Sequence, residues 1–149
     1  MRFPYQKIRV GRPAPTLGGR WVRSQPLIHV SLVCPTGALV VQGILDTAAD
    51  DTVFPDSAAA RIGLDLTGAP TGVSSGVGLV PVPLRYAQIK LRATSGGEFR
   101  EWPAWVGFTS IPIRYPMLGF AGFLQYFTAT FHGDFEEVEL AVNRLYPGT

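Results

Sequence analysis

This chain has few of the residues from which metal and disulfide sites are usually built. It contains one cysteine, Cys34, and two histidines, His29 and His132, in 149 residues. A single cysteine excludes a disulfide within the chain and a thiolate metal cluster, and the histidines lie too far apart for an H-E-x-x-H zinc motif. The sequence therefore gives no support for a metal centre of cysteine or histidine ligands.

Long hydrophobic runs are also missing. No segment approaches the roughly 20 consecutive apolar residues that a membrane-spanning helix needs. The opening stretch, MRFPYQKIRVGRPAP, has no apolar region of the kind found in secretory signals. We therefore expect no membrane partner and a cytoplasmic, reducing location.

Acidic residues are absent from the first 45 positions. The same stretch holds six of the thirteen basic residues, namely Arg2, Lys7, Arg9, Arg12, Arg20 and Arg23. Such an arm can bind nucleic acid, but its interleaved prolines and glycines favour an extended segment on a protein surface, so we expect no nucleic-acid partner. We predict a basic, irregular arm over residues 1–25 and one domain over residues 26–149. The arm could pair across a dimer interface with the acidic residues near the end, Asp134, Glu136, Glu137 and Glu139.

The composition of the chain is that of a globular, turn-rich protein, with 46% hydrophobic residues, seventeen glycines and thirteen prolines. PLIHVSLVC and GALVVQGILD predict two strands with a turn at residues 35–37, and TATFHGDFEEVELAV predicts a hairpin turning at 132–134. Further strands are predicted in LVPVPLRYAQIKLRA, EWPAWVGF and IPIRYPML. Pro81 and Pro83 leave N–H groups on one side only, which suits an edge strand or a free hairpin. Short helices are predicted in PDSAAARIGL, capped by Asp56 or Ser57 and ended by Gly63, and in GFAGFLQYF.

Three carboxylates stand out in the apolar stretch GILDTAADDTVFP: Asp46, Asp50 and Asp51. Carboxylates are costly in such surroundings unless they are paired or hydrogen-bonded. They could bind a hard cation, form a solvated turn, or include a carboxyl group held at a strand end for acid–base chemistry. Calcium-loop spacing is absent, and Asp46 directly follows an apolar run, which favours the third use.

The stretch Leu45 to Val53, LDTAADDTV, resembles the active-site loop of retropepsin-like aspartic proteases, whose pattern is L-D-[TS]-G-A followed by D-D-T-V in retroviral members. Two further segments follow in the family's order. Gly76-Val77-Gly78, followed by YAQI, resembles the glycine-rich flap, and MLG, followed by FL, resembles the start of the family's C-terminal helix. GFLQYFTATFHGD is similar to single-domain bacterial members. The resemblance covers about residues 25–142.

The resemblance implies an all-β fold, a closed β-barrel or sandwich with a flap hairpin and one or two short helices, assembled as a homodimer. It implies that Asp46 is catalytic and that Thr47 and Ala48 form the active-site loop and brace the dimer. The implied substrate-binding residues are Ala49, Asp50, Asp51, Val53, Gly76, Val77 and Gly78. No metal and no organic cofactor is implied. Because 149 residues hold one such loop and not two lobes, a second chain must supply the other aspartate for a peptide or protein substrate.

The match departs from the family at three positions. Ala48 replaces a glycine, and a positive φ there would cost of order 1–2 kcal/mol because alanine has a Cβ. Leu79 replaces a flap glycine. Phe120 replaces an arginine that would partner Asp50, and Arg114 is a candidate replacement. Ala48 favours an alternative function, a catalytically weak or inactive dimeric β module that binds extended peptides. A third possibility is a metal-dependent phosphohydrolase built on the carboxylates.

Several other motifs have simpler structural explanations. Residues 72–76 match the G-x-S-x-G nucleophile elbow, but an extended run follows where that motif needs a helix, so we predict a hairpin tip. Trp102 and Trp105 favour packing on opposite faces of a strand. Cys34 is expected to behave as a small buried hydrophobe. A stripe for the core or an interface is predicted for Phe120, Phe123, Phe127 and Phe131.

Overall fold

The computed structural model describes residues 1–75 and 78–149. Gly76 and Val77, two of the three residues predicted for the flap tip, lie outside the described residues. The described chain is mainly β, which confirms the all-β prediction. The strands are β1 Arg2–Pro4, β2 Gln6–Ala14, β3 Arg20–Gln25, β4 Leu27–Cys34, β5 Gly37–Leu45, β6 Val53–Pro55, β7 Thr71–Ser75, β8 Pro81–Ser95, β9 Glu98–Thr109, β10 Met117–Leu118, β11 Phe127–His132 and β12 Glu137–Val142.

Six of these strands close into a ring. The largest sheet has the order β4-β5-β10-β6-β9-β8-β7, and β4 pairs with β8 as well as with β5. The second contact, from Val30 opposite Ala93 to Val33 opposite Lys90, joins β4 to β8 and closes the ring. Only β7 remains outside the ring, where it forms a hairpin with the first residues of β8. Pro81 and Pro83 lie in this hairpin, as their alternate spacing predicts.

Strand β10 determines the path of the chain around the carboxylates. It runs parallel to β5, with Leu118 opposite Leu45, and antiparallel to β6, with Met117 opposite Val53. Because β10 lies between β5 and β6, the loop of residues 46–52 that joins those two strands must pass over the end of β10. The segment IPIRYPML was predicted as a strand. Only Met117 and Leu118 pair, since Pro112 and Pro116 have no N–H to donate.

The predicted first helix is confirmed as α1, Asp56–Arg61. Neither predicted cap forms; Asp56 instead pairs with Arg85, at 2.7 Å. Gly63 follows the helix at φ +70° and turns the chain away. The second predicted helix is only a 3₁₀ turn at Leu124–Tyr126, because Gly122 takes φ +88° and prevents a helix from continuing through it. No helix in the described chain is long and apolar enough to cross a membrane.

The prediction of an irregular arm is wrong. Strand β1 pairs with β12, and β2 and β3 form a two-stranded hairpin of their own. Its turn contains a 3₁₀ helix, Pro15–Leu17, followed by Gly18 and Gly19 at φ +65° and +79°. The interleaved glycines predicted an extended, irregular segment. In the structure Gly18 and Gly19 form a turn, because glycine adopts left-handed torsions at little cost.

The oppositely charged ends of the chain pair within one molecule. Arg2 lies 3.5 Å from Glu139, and Lys7 lies 2.7 Å from Glu136. Glu136 also accepts a hydrogen bond from the Ser24 hydroxyl, at 2.9 Å, so this carboxylate fastens both strands of the hairpin.

The core lies inside the strand ring and extends towards β11 and β12. Trp102 is 0% exposed, packs edge-on against Phe123 and Phe127, and donates its indole N–H to the Gly122 carbonyl at 2.9 Å. Trp105, three residues along the same strand, is 55% exposed, as expected for the opposite face. The predicted phenylalanine stripe is split, since Phe123 and Phe127 are buried while Phe120 and Phe131 are exposed. Cys34 is half-buried, and this burial raises the pKa of its thiol.

The attachment of the hairpin should depend on pH. The hydrogen bonds from Lys7 and Ser24 lower the pKa of Glu136. Their stabilising effect is therefore complete above the unfolded-state pKa of a glutamate and is lost as the pH falls through the lowered folded-state value. We expect Glu136→Gln to make the arginines of the hairpin more accessible to trypsin at neutral pH. In the wild type the same exposure should require a pH below the ordinary glutamate pKa, where a pH-tolerant protease replaces trypsin. Asp134→Asn, in the same turn, should leave the digestion pattern unchanged; equal sensitivity in both variants would contradict the assignment.

The two tryptophans form a matched pair for stability. Replacing the buried Trp102 with alanine removes its packing and its hydrogen bond, and we expect a loss of about 3–5 kcal/mol in the free energy of unfolding. Trp105→Ala should change it by no more than about 0.5 kcal/mol because that side chain is largely solvated. Urea denaturation followed by circular dichroism measures both, and similar losses in the two variants would contradict the packing.

Candidate active site

Asp46 lies at the end of β5 and is half-buried. Its backbone N–H donates to the Leu118 carbonyl at 3.2 Å, and its own carbonyl accepts from Ala49 at 3.2 Å. The Ala48 N–H donates to Oδ1 of its carboxylate at 2.9 Å. A backbone donor therefore orients the carboxyl group at the point where the strand ends.

Ala48 has ordinary backbone torsions. Among the non-glycine residues in the described ranges, only Leu79 and Glu136 have positive φ, at 56° and 51°. The expected strain therefore does not arise at Ala48, and the backbone support of Asp46 survives the change from glycine. The strain of a positive φ arises instead at Leu79, the other position where a glycine is replaced. Thr47 and Ala48 are exposed, so their side chains can contact a second molecule.

The rest of the carboxylate loop is held by the chain that follows β10. Phe120 donates its N–H to the Ala49 carbonyl at 2.9 Å, and Ala121 donates to Asp50 at 2.8 Å. A Cβ added to Gly119 would lie 2.3 Å from the Asp51 carbonyl oxygen and 2.7 Å from that of Ala49. The glycine of the MLG motif therefore lies where the backbone after β10 is in contact with the backbone of the carboxylate loop.

A cleft of about 500 Å³ opens over this loop. Among the residues predicted for the site, its lining includes Asp46, Ala48, Ala49, Asp50, Asp51 and Val53. Thr47 and Gly78 are not in that lining. A second hollow, of about 470 Å³, lies beside Cys34 and Lys90 and has no carboxylate in its described lining.

Six lining residues were not predicted: Ser74, Ser75, Val82, Leu84, Ile113 and Met117. Val82 and Leu84 alternate with the prolines of β8, and this spacing could have placed the two apolar side chains on one face of the strand. The two serines come from the G-x-S-x-G motif, whose described residues, 72–75, lie in strand β7 of the β7–β8 hairpin. Ile113 lies in the irregular segment between β9 and β10, where no strand pattern could have placed it. Met117 is the first residue of the MLG motif and of β10.

The two remaining aspartates differ in their surroundings. Asp50 is exposed. Arg114, the candidate partner of Asp50, instead lies over the Tyr115 ring at 5.3 Å. No ion pair joins Arg114 to Asp50 in the described chain, so the prediction of this partner is wrong. Asp51 accepts a hydrogen bond from the Tyr86 hydroxyl at 2.8 Å. Burial, followed by Asp51 itself, raises the pKa of Tyr86 to about 12, so the phenol stays a neutral donor at ordinary pH. Within residues 1–75 and 78–149, no three His, Cys, Asp or Glu side chains are arranged to hold a metal ion.

Comparison with known proteins gives structural matches only. No protein-family model and no curated protein matches the sequence. The chain is similar to a protease of EIAV solved with the inhibitor HBY-793, at 18% identity and a TM-score of 0.39, covering 64% of this chain and 81% of the other. It is also similar to the retroviral protease-like domain of Ddi1 from Leishmania major, at 12% identity and a TM-score of 0.47, covering 83% and 94%. Likeness at this level concerns the course of the chain and not its chemistry.

The contact at Gly119 predicts a strong effect of one methyl group. In Gly119→Ala the new Cβ would meet backbone oxygens that cannot rotate away, and we expect a loss of about 3 kcal/mol in the free energy of unfolding. Gly133→Ala is the matched control because its Cβ would meet nothing within 4 Å. Guanidinium unfolding of both variants measures the difference, and wild-type stability of Gly119→Ala would contradict the close approach.

Proposed function

We propose that this protein is an aspartic endopeptidase of the retropepsin-like class that acts as a homodimer. The observation that carries the proposal is the Asp46 carboxylate, held by the Ala48 N–H at the edge of an open cleft. Peptide hydrolysis of this kind needs two carboxyl groups, and the sequence contains one such loop. A two-fold axis through the exposed side of the loop would bring together one Asp46 from each subunit.

The two carboxyl groups would share one proton, since two close carboxylates cannot both ionise cheaply. The charged Asp46 would take a proton from a water molecule, while the protonated one donates a hydrogen bond to the scissile carbonyl. Water attack would give a tetrahedral intermediate, and proton transfer to the amide nitrogen would release the amine. The pair would titrate as a unit, so neither copy has a pKa of its own.

The other residues of the loop would bind and brace. Thr47, exposed beside Asp46, would bridge the two loops through its hydroxyl. Ala49, Asp50 and Asp51 would meet the main chain of an extended peptide. The apolar part of the lining, which includes Val53, Leu84 and Met117, favours hydrophobic residues beside the cut bond.

The β7–β8 hairpin would serve as the flap. Its paired part, from Thr71 opposite Arg85 to Ser75 opposite Pro81, contributes Ser74 and Ser75 to the cleft lining. The tip would be formed by Gly76-Val77-Gly78. Of these, Gly78 is described and has φ +89°, a torsion that suits a tight turn. Closure of the hairpin would exclude bulk water from the cleft and leave the one water molecule that attacks the peptide bond.

A catalytically weak or inactive dimeric module that binds extended peptides is the second candidate. The exposed side chain of Ala48 favours it, because a methyl group would stand between two loops that usually meet through glycine. The same cleft, loop and flap would hold the peptide in either case. The two functions differ only in whether bound peptides are cut.

Replacing Asp46 with asparagine tests the proposal, because the amide can neither accept the proton from water nor share one with its partner. We expect the rate of peptide cleavage to fall by at least about 10²–10⁴-fold, the usual contribution of acid–base catalysis. The measurement is cleavage of a mixed peptide library from about pH 4 to 7, the region in which such dyads titrate. Specific activity should rise with protein concentration if two chains form the site.

Asp134→Asn makes the same chemical change in a turn away from the cleft and should cleave like the wild type. Cuts that persist in folded Asp46→Asn would overturn the assignment of this residue. No cuts by a folded, dimeric wild type, with peptides still bound, would favour the second candidate. Ala48→Gly would then test whether the methyl group is what prevents catalysis.

A further inference from the structure

Tyr86 stands behind the cleft and contacts one of its carboxylates. Its hydroxyl donates to Oδ2 of Asp51 at 2.8 Å, in a partly buried position. Asp51 belongs to the cleft lining, whereas Tyr86 does not. The hydrogen bond to this oxygen of a cleft carboxylate therefore comes from a residue outside the cleft lining.

The position of the Tyr86 ring is set by two glycines. A Cβ added to Gly72, on β7, would lie 2.6 Å from Cε2 of the ring and 2.9 Å from its hydroxyl. Gly107, directly opposite Tyr86 on β9, would place a Cβ 3.5 Å from Cε1. The ring thus packs against backbone on both neighbouring strands, in space that a side chain at residue 72 would take. Such packing restricts the ring and fixes the direction of its O–H group.

We propose that Tyr86 is a positioning residue that acts through Asp51. By binding Oδ2 it holds the carboxylate in one orientation and leaves the other oxygen to accept a single N–H group from the peptide. This inference rests on the proposed function, since it needs a peptide in the cleft. It also predicts a selectivity: because Tyr86 already donates to Oδ2, the two-point contact of an arginine side chain with Asp51 should be weaker than its contact with a free carboxylate.

Tyr86→Phe is the direct test because it keeps the ring between the two glycines and removes only the hydroxyl. We expect kcat/KM for the preferred library peptides to fall about tenfold, mainly through KM, as for loss of a hydrogen bond to a charged group. The share of cuts beside arginine should rise, because both oxygens of Asp51 become free. Tyr146→Phe is the control: its hydroxyl donates to the Glu101 carbonyl at 3.0 Å, and its loss should leave the cleavage profile unchanged.

A second variant moves Tyr86 without altering it. Gly72→Ala would push the ring away from Asp51 and should reproduce the arginine shift of Tyr86→Phe. Gly11→Ala, whose Cβ would meet nothing within 4 Å, should not. If Tyr86 acts through Asp51, adding Tyr86→Phe to Asp51→Asn should change kcat/KM by less than twofold beyond Asp51→Asn alone, since the effects of coupled residues do not add.

The outcomes separate this inference from the proposed function. If cuts depend on Asp46 but Tyr86→Phe keeps the wild-type kcat/KM and peptide profile, the inference is overturned and the proposed function stands. If wild type makes no Asp46-dependent cuts, the proposed function fails, and Kd values for the same peptides become the readout. A tenfold weaker Kd in Tyr86→Phe alone would then support the inference, and an unchanged Kd, or no bound peptide at all, would overturn it.

Discussion

The close contact between Gly119 and the carbonyl groups of Ala49 and Asp51 is the constraint on which the site depends. It exists because β10 lies between β5 and β6, so that the carboxylate loop must cross the end of β10. Hydrogen bonds from Phe120 and Ala121 then hold the loop at two further points. Without a side chain at residue 119, the loop can lie close enough for Asp46 to end β5 in hydrogen-bonding distance of Leu118.

The electrostatics of the cleft follow from this placement. One backbone N–H orients the Asp46 carboxylate, and one phenol orients that of Asp51. Asp50, between them in the same loop, is exposed and forms no ion pair with an arginine within residues 1–75 and 78–149. Each carboxylate therefore has a different set of donors, in keeping with the proposed roles of Asp46 in the reaction and Asp51 in peptide binding. The change from glycine to Ala48 leaves the donor to Asp46 in place because it requires no unusual torsion.

Local patterns predicted the strands well where pairing is between neighbours in sequence. The hairpins β4–β5 and β11–β12, the helix α1 and the opposite faces of Trp102 and Trp105 all depend on alternation and turn residues, which act over a few positions. The failures share a different cause. Arg2–Pro4 became a strand because β12, far along the chain, supplies its partner, and Glu136 beside β12 binds Lys7 and Ser24 of the β2–β3 hairpin. The helix predicted in GFAGFLQYF ends as one turn because Gly122 takes a torsion that the packing around Trp102 and Thr52 requires.

By itself, the sequence determined that this is a β protein with one carboxylate loop, and that Asp46 and its neighbours form this loop. These features are local, since residue alternation, turn chemistry and a short loop pattern need no distant contact. The tertiary structure decided which strand separates β5 from β6, which apolar side chains face the carboxylates, and that Tyr86 rather than Arg114 reaches the loop. Those facts depend on contacts between residues far apart in the chain, whose geometry is set only when the strand ring closes.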